Sequence, residues 1–212
     1  MQYFKILAIG DDAAEKVQLL TTFIEGKCPK EYIPTVFENS TKTLKIGGKQ
    51  VILDLWDSTG FDTLPSMRQP LYSNVDIILV CYSVVNKKSF INVKNKWYPE
   101  MKSLCPHTPF FLIATQSEKR KKYSEVKNPL ISTGDGLQLS KELKAIEFIE
   151  CSAKNNENVD YIFEQCIKVL SHDLHNQKSH DQQSLYEDRS TFIFCYLLFL
   201  TLSFVSLFIV SK

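Results

Sequence analysis

The sequence predicts an α/β domain with a mainly parallel central sheet and helices on both faces. Three observations predict it. Between residues 3 and 170, strand-like apolar runs alternate with segments of helical length and periodicity. A glycine-initiated loop, residues 10–17, stands between the first apolar run and the first helical one. Two strand-like runs meet across Gly47-Gly48, as the arms of one hairpin do.

In chain order, Tyr3-Phe-Lys-Ile-Leu-Ala-Ile gives a strand over 3–9; it is too short to be a signal peptide and stops at Gly10. A helix is expected over 15–25, then the hairpin strands 42–47 and 50–56. Strands at 76–82, 109–114 and 146–150 alternate with helices at 88–104, 134–143 and 157–170. Helical crossovers of this length connect parallel strands, and ligands of such sheets sit beyond the strands' carboxyl ends.

After residue 170 the composition changes. Residues 171–190, rich in Asp, Gln, His and Ser, read as a flexible linker. About 20 such residues reach roughly 25 Å. The linker histidines 172, 175 and 180 have no cysteine or carboxylate pattern around them and read as solvated. Residues 191–210 carry no charge. A helix of that length spans roughly 30 Å, the hydrocarbon thickness of a bilayer. The expectation is one domain over 1–170, a linker over 171–190 and a tail anchor over 191–210, single-pass, with the domain in the cytosol. The flanks Arg189 and Lys212 are sparse, which fits the endoplasmic reticulum better than the mitochondrial outer membrane. Cys195 lies near one end of the span and reads as a plain membrane cysteine rather than an acylated one. The other cysteines, at 28, 81, 105, 151 and 166, show no metal spacing and read as reduced. Lys plus Arg number 25 against 24 Asp plus Glu, so bulk charge gives no reason to expect nucleic acid.

Chemistry begins at the loop Gly10, Asp11, Asp12, Ala13, Ala14, Glu15, Lys16, Val17. The phosphate-binding spacing is G-x-x-x-x-G-K-[ST]. Gly10 and Lys16 stand in register, but Glu15 occupies the second glycine position and Val17 the hydroxyl position.

Further segments decide whether that register is coincidence: "EYIPTVFEN" at 31–39, "LWDSTG" at 55–60, "KWYPEM" at 96–101, "ATQSEK" at 114–119 and "ECSAK" at 150–154. In this order they resemble the small GTPases, and the first and third resemble the Rho branch in particular. The resemblance covers about residues 3–170 and implies the P-loop small-GTPase fold. It also implies a guanine-nucleotide switch binding GTP or GDP with Mg²⁺, whose two loops respond to the γ-phosphate.

The same resemblance implies a degenerate site. The family has glycines where this chain has Asp12 and Glu15, and glycine there lets backbone N–H groups approach phosphate. A carboxylate ~4 Å from a phosphate charge costs about 4 kcal/mol at an effective dielectric of about 20. Lys16 is available to pair with Glu15 instead. Val17 replaces the family's magnesium-ligating threonine, leaving Thr35 and Asp57 as the metal-side groups. After Asp57 and Gly60 the family's water-positioning glutamine is Phe61, so no catalytic residue is assigned and hydrolysis is expected to be negligible. In the base loop Thr115, Gln116 and Glu118 stand for T/N-K-x-D, with weakened guanine selectivity, and Ser152, Ala153 and Lys154 match the supporting loop.

The effector-facing loop Tyr32, Ile33, Pro34, Thr35, Val36, Phe37, Glu38, Asn39 is nearly intact, although Ser40 replaces the usual tyrosine. Switch II keeps Arg68 and Tyr72, while Leu64, Pro65 and Ser66 depart from the family, and Pro65 is expected to disfavour a regular helix. The family's insert is shortened around Lys119-Arg120-Lys121-Lys122, a cluster that reads as a solvated loop rather than a lipid contact. No C-a-a-X box is present. Three functions stay open: a membrane-anchored Rho-like pseudo-GTPase presenting its effector loop, a GTP-hydrolysing switch, and a transmembrane adaptor acting through its tail. In each, partners are effector or regulatory proteins and the bilayer.

Overall fold

The structure is a computed structural model of the whole chain. It describes residues 2–29, 39–46, 49–58, 65–120 and 130–171. The chain divides into two compact units, Met1–Cys166 and Ile167–Lys212; only 167–171 of the second are described. The expected linker, the tail at 191–210 with Cys195, and most of the effector loop lie outside the described residues. So do Gly60, Phe61 and the Gly47-Gly48 turn. Among the described residues no helix is long and apolar enough to cross a membrane.

Six strands form one sheet in the order β2-β3-β1-β4-β5-β6. They are β1 Gln2–Ile9, β2 Ser40–Ile46, β3 Lys49–Asp57, β4 Ile77–Ser83, β5 Phe110–Thr115 and β6 Phe148–Glu150. All pairings are parallel except the hairpin β2–β3, which runs antiparallel from Ser40↔Leu55 to Ile46↔Lys49. Strands β4 and β5 are buried at every position, as strands covered on both faces must be. The edge strand β2 alternates exposed Thr41, Thr43 and Lys45 with half-buried Lys42 and Leu44, the period of a one-sided strand.

The helices are α1 Lys16–Glu25, α2 Pro65–Arg68, α3 Lys87–Asn92, α4 Tyr98–Leu104, α5 Thr133–Leu143 and α6 over 159–171. A π turn, Val93–Trp97, joins α3 to α4 without a break. Two of the starts are capped locally. The Asn86 side chain accepts the Ser89 N–H at 2.9 Å to open α3, and Ser132 with Asp135 forms a capping box on α5. Helix α1 stops at Gly26, left-handed at φ 73°.

Leu7, Ile9, Ile78, Val80, Tyr82 and Leu112 point to one core with Trp97, Met101, Leu139 and Leu143 from the helices. The alternate strand residues Ile6, Ala8 and Leu79 are equally buried and point to the other face. There Phe23 of α1 stacks on Phe163 with ring centroids 3.7 Å apart.

One expectation about switch II is corrected. A short helix does form, and it starts at Pro65 before continuing as a 3-10 turn over Gln69–Tyr72. Proline's fixed φ suits the first helical position, where its missing N–H has no partner to lose.

Candidate functional site

The loops at the carboxyl ends of the parallel strands converge. Gly10 follows β1, Asp57 ends β3, Ser83 ends β4, Gln116 follows β5 and Ser152 lies just past β6. The close approach begins at Gly10, where φ is 144° and a Cβ would stand 2.2 Å from the Cys81 carbonyl oxygen. We expect Gly10→Ala to cost about 3 kcal/mol or more, read as a lowered midpoint in thermal unfolding, because overpacking and backbone strain add. Burial pushes the Cys81 thiol beneath the loop up to about 12, so it stays protonated.

Asp12–Ala14 form a 3-10 turn in which the Ala14 N–H donates to the Asp11 carbonyl at 2.9 Å and the Glu15 N–H to the Asp12 carbonyl at 3.1 Å. Glu15 itself is left-handed, at φ 49°, a conformation that costs a residue with a Cβ about 1–3 kcal/mol. Lys16 is 1% exposed. Its Nζ donates to the carbonyls of Gly10 at 2.6 Å and Asp11 at 3.2 Å, and stands 4.0 Å from the Asp57 carboxylate. The expected Lys16–Glu15 pair does not form. Glu15 pairs instead with Lys119 at 3.4 Å, because α1 carries Lys16 inward under the loop while the Glu15 side chain stays half-exposed at the rim.

Gln116, also left-handed at φ 64°, is buried and works as a tether. Its Oε1 accepts the Ser83 hydroxyl at 2.7 Å and its Nε2 donates to the Ala13 carbonyl at 3.2 Å. Thr115 donates its hydroxyl to the Tyr82 carbonyl. Glu118 is half-buried, and its Oε2 is buried with no hydrogen-bond partner among the described residues. Ser152 is fully buried and its hydroxyl accepts the Asn155 N–H, while Lys154 is exposed beside half-buried Ala153.

Of these groups, Asp12, Ala13, Glu15, Ser83 and Gln116, together with Gln18, Val85 and Asn86, line a cavity of about 490 Å³. A separate gap of about 60 Å³ lies between Asp57 and Val17, with Leu20, Thr21, Ile24, Ser40 and Leu55 around it. Val17, whose side chain has no oxygen to offer, therefore borders the same gap as Asp57. Thr35 and the loop from Tyr32 to Glu38 lie outside the described residues; Asn39, at their edge, is exposed. Its side-chain amide donates to Asp54 at 3.4 Å.

A phosphate-loop position after β1, the base-loop position after β5 and the supporting loop after β6 now share one end of one sheet. The family model for the Ras family matches residues 5–172. The chain belongs to the Ras family. It is a small-GTPase-like domain, and domains of this family generally bind GTP or GDP with Mg²⁺ and work through effector and regulator proteins.

Sequence reasoning missed Ser83 and Asn86, which line the cavity, and the partners of Asp11. The Asp11 carboxylate accepts the Trp97 indole N–H at 2.8 Å and the Asn92 amide at 2.7 Å. Both donors lie more than 80 positions away, and no local pattern marks such a contact.

Proposed function

We propose that this Ras-family chain is a membrane-anchored, Rho-type pseudo-GTPase: a binding module that presents residues 32–39 to a protein partner at a cytosolic membrane face. The observation that carries this reading is the condition of its phosphate loop. A cradle needs backbone N–H groups and a lysine turned to the phosphates. Here the N–H groups of Ala14 and Glu15 close a 3-10 turn. Two of the three Lys16 Nζ donors go to carbonyls, and Asp12 and Glu15 line the cavity and bring carboxylates to it. The metal side fares no better, since magnesium demands oxygen ligands and Val17 offers methyls. These residues fit neither a triphosphate nor its metal.

Support for the Rho branch is the 31–39 and 96–101 segments. Support for anchoring is the uncharged run 191–210. With Phe61 in place of the water-positioning glutamine, turnover is absent even when a partner supplies an arginine. The endoplasmic reticulum is the membrane we favour.

The test is the nucleotide content of the full chain purified in mild detergent. Denaturation should release less than 0.1 mole of guanine nucleotide per mole of protein (~0.1 being trace carry-over for a site this weak). Stoichiometric GDP or GTP would overturn the reading. Resistance of the chain to alkaline extraction from membranes, lost when 191–210 are deleted, tests the anchor.

A further inference from the structure

The Asp11 carboxylate sits in a loop whose usual ligand is an anion, yet both its oxygens are engaged by a helix on the far side of the loop. It accepts one N–H from Trp97 and one from Asn92. A carboxylate is an acceptor only, so these two charge-assisted bonds match its two oxygens. The geometry depends on the π turn Val93–Trp97. In an α-helix residues five apart stand about 140° around the axis from each other. A turn bonded i to i+5 returns them to one face, and Asn92 and Trp97 then meet the same side chain. Turns of this kind cost helix regularity and cluster where a position matters.

Trp97 is fully buried, and its other contacts lead to α2. The Arg68 guanidinium lies 5.0 Å from the Trp97 ring centroid, within cation–π range. Arg68, itself 1% exposed, donates through Nε to Glu100 at 2.9 Å and through a second nitrogen to the other Glu100 oxygen. The Tyr72 hydroxyl donates to Glu100 at 2.8 Å. Asp11, Trp97, Arg68, Glu100 and Tyr72 thus form one contiguous set joining the phosphate loop, the π turn and the α2 segment, whose outer face exposes Met67.

We propose that Asp11 is a positioning residue: it holds the phosphate loop against the π turn and, through Trp97, sets the placement of α2 and the surface around Met67. The link needs no nucleotide. It gives a partner bound at α2 a route to the loop, and the loop a route to the partner surface, whether or not the cavity takes a ligand.

The test is hydrogen exchange by mass spectrometry on the full chain in detergent micelles. Asp11→Ala removes the acceptor of both N–H groups and leaves the buried Trp97 donor without it, so exchange in peptides 10–16 and 65–73 should accelerate about tenfold or more, the loss of roughly one buried hydrogen bond. Peptide 133–143 should stay at the parent rate. Asn92→Ala, which removes one of the two bonds and spares Trp97, should produce the same pattern at smaller amplitude. Adding Trp97→Phe to Asp11→Ala removes the stranded indole donor, and 65–73 should then exchange no faster than in Asp11→Ala alone. Acceleration at 10–16 with 65–73 unchanged in both single variants would overturn the proposal. Acceleration spread equally over 133–143 would do so too, because it would mark general loosening rather than a directed link.

Discussion

The triple variant Asp12→Gly, Glu15→Gly, Val17→Thr is expected to bind Mg·GTP at least about a thousandfold more tightly than the parent chain, roughly 4 kcal/mol. Asp12 supplies most of this. An exposed-site carboxylate ~4 Å from a phosphate charge costs about 4 kcal/mol at an effective dielectric of about 20. Glu15 contributes less than its charge suggests, since Lys119 already stands 3.4 Å from it and the pair is partly solvated. Its backbone matters as much: at φ 49° glycine relieves about 1 kcal/mol or more of strain. The variant should therefore melt no lower than the parent. Val17→Thr restores a hydroxyl beside Asp57 and should make the gained affinity magnesium-dependent. Isothermal titration calorimetry with and without magnesium measures both effects. An affinity within tenfold of the parent would move the obstacle to the 3-10 turn and the Gln116 tether.

Glu100→Ala is expected to be the most destabilising side-chain truncation outside the apolar core, costing about 3–5 kcal/mol. It removes the carboxylate to which the Arg68 guanidinium, 1% exposed, donates through two nitrogens, and breaking a buried ion pair from one side carries that penalty. Arg68→Met, which removes the charge and fills the space, should cost less. Burial alone would raise the Glu100 carboxyl, but the hydrogen bonds from Arg68 and Tyr72 outweigh it and hold the group below its ordinary 4.5. The sign follows: the contribution is complete above about pH 4.5 and is lost as pH falls through the lower folded value. Thermal melts should show stability dropping below that pH in the parent. In Glu100→Gln that part of the profile should be flat. Equal pH profiles would place the acid sensitivity on another carboxylate.

Much of the fold was legible because its cause is local. Continuous apolar runs such as Ile77–Ser83 and Phe110–Thr115 have little alternative to central strands. Helix starts at Asn86 and Ser132 carry their own caps. The loop positions 10–17, 57 and 115–118 were legible too, as motif positions at strand ends, whereas the cavity-lining Ser83 and Asn86 were not. Nor was the present geometry of those loops. Lys16 pairing with backbone rather than Glu15, and Glu15 with Lys119, are decided by where β1, α1 and the loop after β5 come together in space. In sequence Pro65 carries a helix-interior penalty, whereas in the structure it stands first in its helix, where that penalty does not apply. The Asp11–Trp97 bond spans 86 positions and rests on a π turn that neither periodicity nor propensity encodes.

The most direct test of the central reading is an equilibrium titration of the full chain in detergent with fluorescent GTP and GDP, with magnesium and with chelator. The expected result is no saturation up to about millimolar nucleotide, an affinity weaker than roughly −4 kcal/mol, and no response to magnesium. Submicromolar, magnesium-dependent binding would contradict it: the loop would then rearrange around Asp12 and Glu15, and the chain would be a nucleotide-loaded switch rather than a pseudo-GTPase.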